Sequence, residues 1–297
     1  MPKVVVGLLK AEQEFQRLQA KDARETGARL GLEVEVVFAE GHAVVQIQQL
    51  FRFIHAPEAE RPRAIVVEAA TAEGLERVAR NAAKAAIGWI LVNARVSYVD
   101  ELRNDHPGLP ITMLGTDNAE AGRLQGRQCR ALLPKGGNVL CVQGPADSTA
   151  TQDRFAGLKE TLGSGFEVRG LNGDWTEASG EKAIAGWLRL KTAETFRPDV
   201  VVGQNDSMAA GARKALRALR REWADLPFLG CDGLPEGGQK LVAEGVLAAT
   251  VVTPSNTGPA LEIVARWLRT SELPPPAVRL GPRSHPPEGQ IRRRGGR

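Results

Sequence analysis

The residues of this chain whose types could do chemistry are polar side chains that come directly after short apolar runs. They are Lys10, Glu68, Asn93 and Asp117 in the first half of the chain, and Gln143, Gln204, Asn205, Asp206, Asp232 and Thr253 in the second half. Carboxylates and amides dominate this set, and together they can donate and accept hydrogen bonds. Such groups suit a polyhydroxylated ligand, because every hydroxyl that becomes buried needs a partner. Each residue taken alone is more often a helix cap or a turn former, so the prediction rests on the set.

Signatures of catalysis are missing from the sequence. It contains no GxxxxGK[ST] phosphate loop, no GxSxG elbow and no GxGxxG after the first apolar run. The turn after residues 4–9 reads KAEQE, which is acidic and free of glycine and therefore ill suited to a pyrophosphate. Asp232 and Glu68 are the remaining acid–base candidates, and neither has a paired histidine. We therefore predict a binding protein rather than an enzyme, with a hydrolase or isomerase on a doubly wound fold as a less favoured alternative.

The spacing of cysteines and histidines supports neither a disulfide framework nor a metal site. The three cysteines are an odd number without CxxC spacing, and the four histidines form no HxxxH or HxH pair. We expect no metal and no cofactor. These residues are Cys129, Cys141, Cys231, His42, His55, His106 and His285.

Charge points to no nucleic-acid partner. The formal net charge is +4, and four arginines crowd into the glycine-rich end as Arg292, Arg293, Arg294 and Arg297. A basic face with interleaved aromatics is absent, and no helix-turn-helix precedes the first apolar run. The apolar runs are also far shorter than the roughly 18 residues that a membrane-spanning helix needs.

The start of the chain leaves two locations open. Met1-Pro-Lys leads straight into the apolar residues 4–9, without the apolar leader region and small-residue cleavage site of a signal peptide. If a leader has been removed, the protein belongs to the periplasm or cell envelope. If Met1 is the native start, the protein is cytoplasmic.

The apolar runs that precede the polar residues predict strands of parallel sheets. They are continuous rather than alternating, as expected for strands that are buried on both faces. The runs cover residues 4–9, 34–39, 64–67, 90–93, 111–114, 138–143, 166–171, 200–203, 228–231 and 248–252. Stretches of helical period separate them, for example after the candidate caps Asp206 and Asn256.

Two series of strands in a chain of 297 residues predict two doubly wound α/β lobes with parallel sheets. Lobe 1 is expected to comprise residues 1–115 and 253–272, and lobe 2 residues 116–252. Residues 273–297 contain repeated prolines and glycines and show no apolar periodicity. They are predicted to form an extended arm or a disordered tail rich in proline and arginine.

Several segments resemble the type I periplasmic sugar-binding proteins, the family that includes the ribose-binding protein. The segments are TDNAEAG at 116–122, QDRFAG at 152–157, GDWTEASG at 173–180, GQNDSMAAGA at 203–212, GCDG at 230–233 and LAATV at 247–251. Residues 15–31 resemble the opening helix of the family more loosely. The resemblance runs in order from about Val4 to about Leu268. It implies two lobes joined by three crossovers, which close around one ligand without chemistry.

The resemblance also implies roles for single residues. Asn205 and Asp232 match the hydroxyl-binding amide and carboxylate of the family, and Phe15 matches a first-lobe aromatic. Trp175 matches the aromatic that stacks on the sugar face. The local pattern around Trp175 does not demand burial, although its ring could instead pack against Ile184 or Trp187.

Three positions depart from the family pattern. The family typically has an Asp-Arg pair after the fourth strand, where this chain has Asn93 and Ala94, with Arg95 one place later. Gln152 stands where many members carry a ligand-binding arginine, and Thr253 stands where a glutamine is usual. These departures predict a ligand other than ribose.

The sequence therefore predicts reversible binding of a sugar or sugar-like molecule in an interlobe cleft, for ABC-type uptake or sensing. The predicted ligand-binding residues are Asp232, Asn205, Trp175, Asn93, Gln152, Thr253 and Phe15. By the resemblance, the partner is the membrane permease of an ABC transporter, and the chain is expected to be a monomer. A cytosolic ligand-sensing effector domain of a regulator would share the whole fold and stays open as the alternative.

Overall fold

The computed structural model describes residues 1–71, 74–223 and 225–292. The chain divides into two compact units, and unit 1 consists of Met1–Thr116 and Ser255–Leu280. Unit 2 consists of Asp117–Pro254 and of the chain from Gly281 onward. The chain therefore passes between the units three times. The predicted boundaries after residues 115, 252 and 272 become boundaries after 116, 254 and 280.

Twelve strands and eleven α-helices are found among the described residues. The strands are β1 Lys3–Leu8, β2 Glu33–Phe38, β3 Ala64–Glu68, β4 Gly88–Val92, β5 Ile111–Thr116, β6 Gly137–Gln143, β7 Phe166–Asn172, β8 Val200–Gly203, β9 Phe228–Asp232, β10 Ala249–Val252, β11 Ala277–Leu280 and β12 Arg283–His285. The helices are α1 Glu14–Leu30, α2 Ala43–Ile54, α3 Glu76–Lys84, α4 Tyr98–Asp105, α5 Asn118–Leu132, α6 Thr149–Leu162, α7 Glu177–Trp187, α8 Thr192–Thr195, α9 Asp206–Leu219, α10 Lys240–Ala243 and α11 Thr257–Thr270.

Unit 1 is built on a parallel six-stranded sheet in the order β11-β5-β4-β3-β1-β2. Its central strands β4, β3 and β1 are apolar except at the ends of β1 and β3, because helices cover both faces of the sheet. Val5 belongs to the core that includes Leu50 of α2 and Leu102 of α4. Its neighbour Val4 belongs to the core on the other face, which includes Leu261 of α11.

Unit 2 repeats the design with a six-stranded sheet in the order β12-β10-β9-β8-β6-β7. Leu140 packs in a core with Ile184 of α7 and Leu216 of α9. Its neighbour Val139 packs on the opposite face in a core with Leu158 of α6. The prediction of doubly wound parallel sheets is therefore confirmed for the ten strands that the apolar runs marked. Strand β12 is the exception, since it runs antiparallel to β10.

The prediction of an arm or a disordered tail over 273–297 is wrong for most of that segment. Strand β11 pairs with β5 in unit 1, and β12 pairs with β10 in unit 2. Ile291 is 2% exposed and packs in the core of unit 2. Short edge strands take their hydrogen-bond partners from a sheet that already exists, so they need no apolar period of their own. The last five residues, with three of the four terminal arginines, lie outside the described residues.

Across the described residues, no helix combines the length and the apolar character that crossing a bilayer requires.

Candidate functional site

Unit 1 gathers polar side chains at the carboxyl edge of its sheet. Glu68 is the last residue of β3, and Asn93 follows β4 directly. The Glu68 carboxylate accepts hydrogen bonds from Nε2 of Gln16 at 2.8 Å and from Nε2 of Gln19 at 3.2 Å. It also accepts one from Nδ2 of Asn93 at 3.3 Å. We call Gln16, Gln19, Glu68, Asn93 and Asn256 the Glu68 cluster.

Buried glutamines fix the strand ends around this cluster. Gln16 accepts a hydrogen bond from the backbone N–H of Leu9 at 2.9 Å, which ties α1 to the end of β1. Gln46 of α2 donates to the backbone carbonyl of Glu68 at 2.7 Å and accepts from the N–H of Ala70 at 2.9 Å. The end of β3 and the loop after it are therefore held by side chains of α1 and α2. These hydrogen bonds fix the backbone that carries the Glu68 side chain.

Asn256 completes the Glu68 cluster from the start of α11. Its Nδ2 donates to Oδ1 of Asn93 at 2.6 Å, and its backbone N–H donates to Oε1 of Gln19 at 2.9 Å. Asn256 stands at the predicted cap position of α11, but its side chain makes no capping hydrogen bond. Instead, the side chain is fully buried, and its Oδ1 has no hydrogen-bond partner among the described residues.

The backbone at Asn93 is unusual in a way that suits asparagine. Its φ is +56°, in the left-handed region that asparagine tolerates better than most residues. Gly115 lies directly beside it, where an added Cβ would come within 3.3 Å of the Asn93 backbone. The conformation turns the chain sharply after β4, and Asn93 is half-buried there.

The Glu68 carboxylate has a raised pKa and no ion-pair partner among the described residues of unit 1. Burial raises the pKa of Glu68 above its ordinary value of 4.5, and the hydrogen bonds from the three amides oppose that rise only in part. None of the ion pairs found among the described residues of unit 1 includes Glu68. The charge of this carboxylate is therefore met by neutral donors within its own unit.

Unit 2 gathers a second set of polar groups, centred on a buried arginine. Arg154 of α6 donates to the backbone carbonyl of Gln204 at 2.5 Å and to Oδ1 of Asn118 at 2.9 Å. Its guanidinium also lies 3.5 Å from Oδ1 of Asp232, the last residue of β9. The side chains of Arg154 and Asp232 are only 10% and 18% exposed, so the two charges meet away from most of the solvent. We call Arg154, Trp175, Asn205, Asp232 and Thr253 the Arg154 cluster.

The segment that carries Asp232 is held in place by hydrogen bonds to Asp206. This buried carboxylate accepts hydrogen bonds from the hydroxyl of Thr250 at 2.6 Å and from the N–H of Gly233 at 2.7 Å. Gly230 allows the close approach, because a Cβ there would lie 2.0 Å from Oδ1 of Asp206. Asp232 itself has a φ of +97°, so the turn after β9 is tightly specified.

Asn205 is joined to Trp175 by a hydrogen bond. Oδ1 of Asn205 caps α9 by accepting from the N–H of Met208 at 2.8 Å, and its Nδ2 donates to the carbonyl of Trp175 at 2.8 Å. The Trp175 ring lies against Gly144, where a Cβ would come within 2.1 Å of the indole. The guanidinium carbon of Arg154 is 5.6 Å from the centre of the ring.

The burial of Trp175 differs from what its sequence neighbours suggest. It is half-buried and packs against the core that contains Ile184 and Trp187, as the alternative interpretation had it. The residues next to Trp175 in sequence do not demand this burial, because the contacts come from the helix that follows and from other parts of unit 2. A stacking role for Trp175 stays a prediction. Trp187 is 4% exposed and stacks on Trp223 at 5.9 Å, which confirms it as a core residue.

The remaining predicted residues differ in how they are engaged. Thr253 is buried, and its N–H donates to the backbone carbonyl of Asp232 at 3.0 Å, which ties it to the end of β9. Phe15 is half-buried in the first turn of α1, next to Gln16. Gln152 is exposed, and its amide donates to the carbonyl of Ala146 at 2.9 Å. Gln152 thus closes a local turn and is not brought into the Arg154 cluster.

Four of the five residues of the Glu68 cluster were not among the predicted ligand-binding residues, namely Gln16, Gln19, Glu68 and Asn256. Gln16 and Gln19 sit on the buried side of α1 beside Ala20 and Ala23, where glutamine is unusual. That misplaced polarity is the signal that could have found them.

Among the described residues, no group of three His, Cys, Asp or Glu side chains is placed to hold a metal ion.

The fold places this chain among proteins built from two doubly wound units. A family model described as the periplasmic binding protein domain matches residues 4–258. The match covers most of the chain, and the chain therefore belongs to the periplasmic binding protein family.

Named relatives support the same assignment. The ribose import binding protein of Escherichia coli K12 is 30% identical over 161 residues, which is 53% of this chain and 52% of the relative. The chain thus spans about half the length of that relative in the alignment. The D-apiose import binding protein of Actinobacillus succinogenes is 21% identical over 246 residues, which is 81% of this chain and 73% of the relative.

Solved structures share the fold over nearly the whole chain. An ABC transporter periplasmic solute-binding protein of Actinobacillus succinogenes, solved with D-allose, has a TM-score of 0.84 at 19% identity. The superposition covers 98% of this chain and 99% of that protein. The myo-inositol binding protein of Caulobacter has a TM-score of 0.79 at 20% identity, with 98% of this chain and 96% of that protein covered. At these identities the likeness establishes the fold.

Proposed function

We propose that this chain binds a small polyhydroxylated molecule, a sugar or a sugar-like polyol, reversibly and without chemical change. The observation that carries the proposal is the pair of polar clusters at the carboxyl edges of two doubly wound sheets, the place where such sheets bind ligands. The Glu68 cluster and the Arg154 cluster offer carboxylates and amides that can accept from and donate to hydroxyls. Family membership agrees with a role in binding rather than catalysis.

Both clusters are proposed to serve one ligand, with Trp175 and Phe15 as apolar surfaces for its C–H face. The three chain connections after Thr116, Pro254 and Leu280 would act as the hinge for closure around that ligand. Small-angle scattering should then give a smaller radius of gyration at saturation. An unchanged profile with ligand bound would contradict hinge closure.

A thermal-shift panel tests the proposed ligand class. Sugars, cyclitols, linear polyols and nucleosides would each be added at millimolar concentration to the full chain. A true ligand stabilises the folded state by RT ln(1 + [L]/Kd), so a 100-fold excess over Kd corresponds to about 2.7 kcal/mol. A shift with a sugar or polyol is the expected result. Shifts confined to nucleosides, or no shift with any compound, would contradict the proposal.

The partner and location follow from the names of the relatives and are also proposals. Both relatives named above are import binding proteins, so we infer delivery of the ligand to the membrane permease of an ABC transporter at the cell envelope. The chain would act as a monomer. Light scattering coupled to size exclusion should give a mass near 31.9 kDa with and without ligand. A stable dimer would contradict the monomer proposal.

A further inference from the structure

Within the described residues, the groups that donate hydrogen bonds to the Glu68 carboxylate are all neutral. Its three donors are the amides of Gln16, Gln19 and Asn93, at 2.8, 3.2 and 3.3 Å. Amides satisfy lone pairs but carry no positive charge. Glu68 is half-buried, and a carboxylate partly removed from water without a counter-charge is less favourable than a paired one.

Unit 2 shows how the same fold treats a carboxylate that is paired. Asp232 also ends a strand at a carboxyl edge, and the guanidinium of Arg154 stands 3.5 Å from its Oδ1. No such cation reaches Glu68 among the described residues of unit 1. Both carboxylates end central strands of their sheets, but in the described residues only Asp232 has a cation beside it.

A second, independent observation shows what kind of group the Glu68 cluster lacks. Asn256 is fully buried, and its Nδ2 donates a hydrogen bond to Oδ1 of Asn93 at 2.6 Å. Its own Oδ1 has no partner among the described residues. The unpaired atom in the cluster is thus a hydrogen-bond acceptor, and the unbalanced charge is negative. Both deficits would be met by a positively charged donor.

We propose that Glu68 recognises a protonated amine on the ligand, so that the preferred ligand is an amino sugar or another amine-bearing polyol rather than a neutral sugar. This inference rests on the proposed function, since it names the ligand class for the same site. An alkylammonium offers three donors and no acceptor, which suits a cluster that combines a carboxylate with an unpartnered acceptor, Oδ1 of Asn256. The Asp232–Arg154 pair, already neutral, would receive hydroxyls.

The experiment compares ligands in pairs that differ by one group. Titration calorimetry on the full chain at pH 7 would measure D-glucosamine against D-glucose, D-galactosamine against D-galactose, D-mannosamine against D-mannose, and an aminocyclitol against myo-inositol. A charge-assisted hydrogen bond is stronger than a neutral one by about 1.4 kcal/mol, which is about tenfold in affinity. In the best-binding pair, the amine is therefore expected to bind about tenfold more tightly than its hydroxyl counterpart.

Variants separate charge recognition from a structural role. Glu68→Gln keeps the size and removes the charge, so the amine preference should fall to about onefold while the neutral partner keeps its affinity. Glu68→Asp keeps the charge and should retain part of the preference. Glu60→Gln is the matched control, because it removes an exposed carboxylate before the opposite end of β3. It should leave both affinities unchanged.

The pH profile gives a readout that a purely structural role would not move. Burial raises the pKa of Glu68, so its charge is lost as pH falls through that raised pKa, while the amine stays protonated. The amine preference of the wild type should decline over this range, and Glu68→Gln should show no such decline.

Each outcome has one meaning. Neutral sugars that bind as tightly as their amines, or a Glu68→Gln variant that weakens both partners equally, would overturn amine recognition and leave the proposed function standing. Failure of every compound in the panel, neutral and amine alike, would overturn the proposed function and this inference with it.

Discussion

Glu68 and Asp232 end strands in two sheets of the same design, yet the two units treat them differently. Asp232 faces a buried arginine that is itself held by Asn118 and by the carbonyl of Gln204. In the part of the chain that the structure describes, Glu68 accepts hydrogen bonds from amides and has no cation beside it. We call Asp232 with Arg154 the balanced site and Glu68 the unbalanced site. In the proposed function, the balanced site would bind hydroxyls and the unbalanced site would bind a charged group.

The largest effect is expected from removing the arginine of the balanced site. Arg154→Leu would remove the guanidinium that lies beside the partly buried Asp232 and two further hydrogen bonds. Breaking one partner of a buried ion pair costs about 3–5 kcal/mol of unfolding free energy. Urea unfolding would measure the loss.

The control for this variant is an exposed ion pair in the same unit. Lys214 lies 2.5 Å from Glu181, and its side chain is 65% exposed. Lys214→Leu should cost less than about 1 kcal/mol. Equal losses for Lys214→Leu and Arg154→Leu would show that the buried pair is not special.

The next effect concerns ligand affinity at the balanced site. Asp232→Asn keeps the shape, and asparagine tolerates the positive φ at this position. If a charged hydrogen bond to the ligand is lost, binding should weaken by about 1.5–3 kcal/mol in titration calorimetry. Asp100→Asn, an exposed change in α4, should leave affinity unaltered. Collapse of stability with unchanged affinity of the folded fraction would assign Asp232 to the turn alone.

Trp175 is expected to show a smaller effect on binding. Trp175→Ala should weaken ligand binding by about 1–3 kcal/mol, on the scale of aromatic stacking platforms. Trp187→Ala removes a core side chain and should instead cost about 3–5 kcal/mol of unfolding free energy. Since Trp175 is half-buried, some stability will be lost as well, but clearly less than for Trp187→Ala. Equal destabilisation by the two changes would contradict a platform role.

The smallest effect is the pH dependence of stability at the unbalanced site. Because the folded state raises the pKa of Glu68 above 4.5, folding favours the protonated carboxyl. The stability it contributes is present below pH 4.5 and is lost as pH rises through the raised pKa. The unfolding free energy of the wild type, minus that of Glu68→Gln, should therefore fall across this range. A difference that rises with pH would show that Glu68 is stabilised as an anion.

Much of the fold was predictable from the apolar runs, because strands buried on both faces must be apolar throughout. Strands β11 and β12 were not predictable in this way. They have four and three residues, stand among prolines, and depend on the free edges of β5 and β10. Such pairing is a property of the completed sheet and leaves no period in the segment itself.

The candidate site was predictable where its residues end a strand, as Asp232 does, or follow one directly, as Asn93 does. Gln16 and Gln19 were missed because they reach the strand ends from a helix, and only the folded chain brings them to Glu68. Gln152 was predicted from its place in a family motif, but its side chain is engaged in a local turn. Position in a motif fixes the backbone more reliably than it fixes the direction of a side chain.

A single set of titrations tests most directly the proposal that the Glu68 cluster and the Arg154 cluster serve one ligand. The best ligand of the panel would be titrated into the wild type, Asp232→Asn and Asn93→Gly, where glycine adopts the φ of +56° freely and only the amide is lost. Both variants should weaken the same ligand by at least about fivefold, or roughly 1 kcal/mol, with a stoichiometry of one. Full affinity in either variant, or two ligands bound per chain, would contradict the claim.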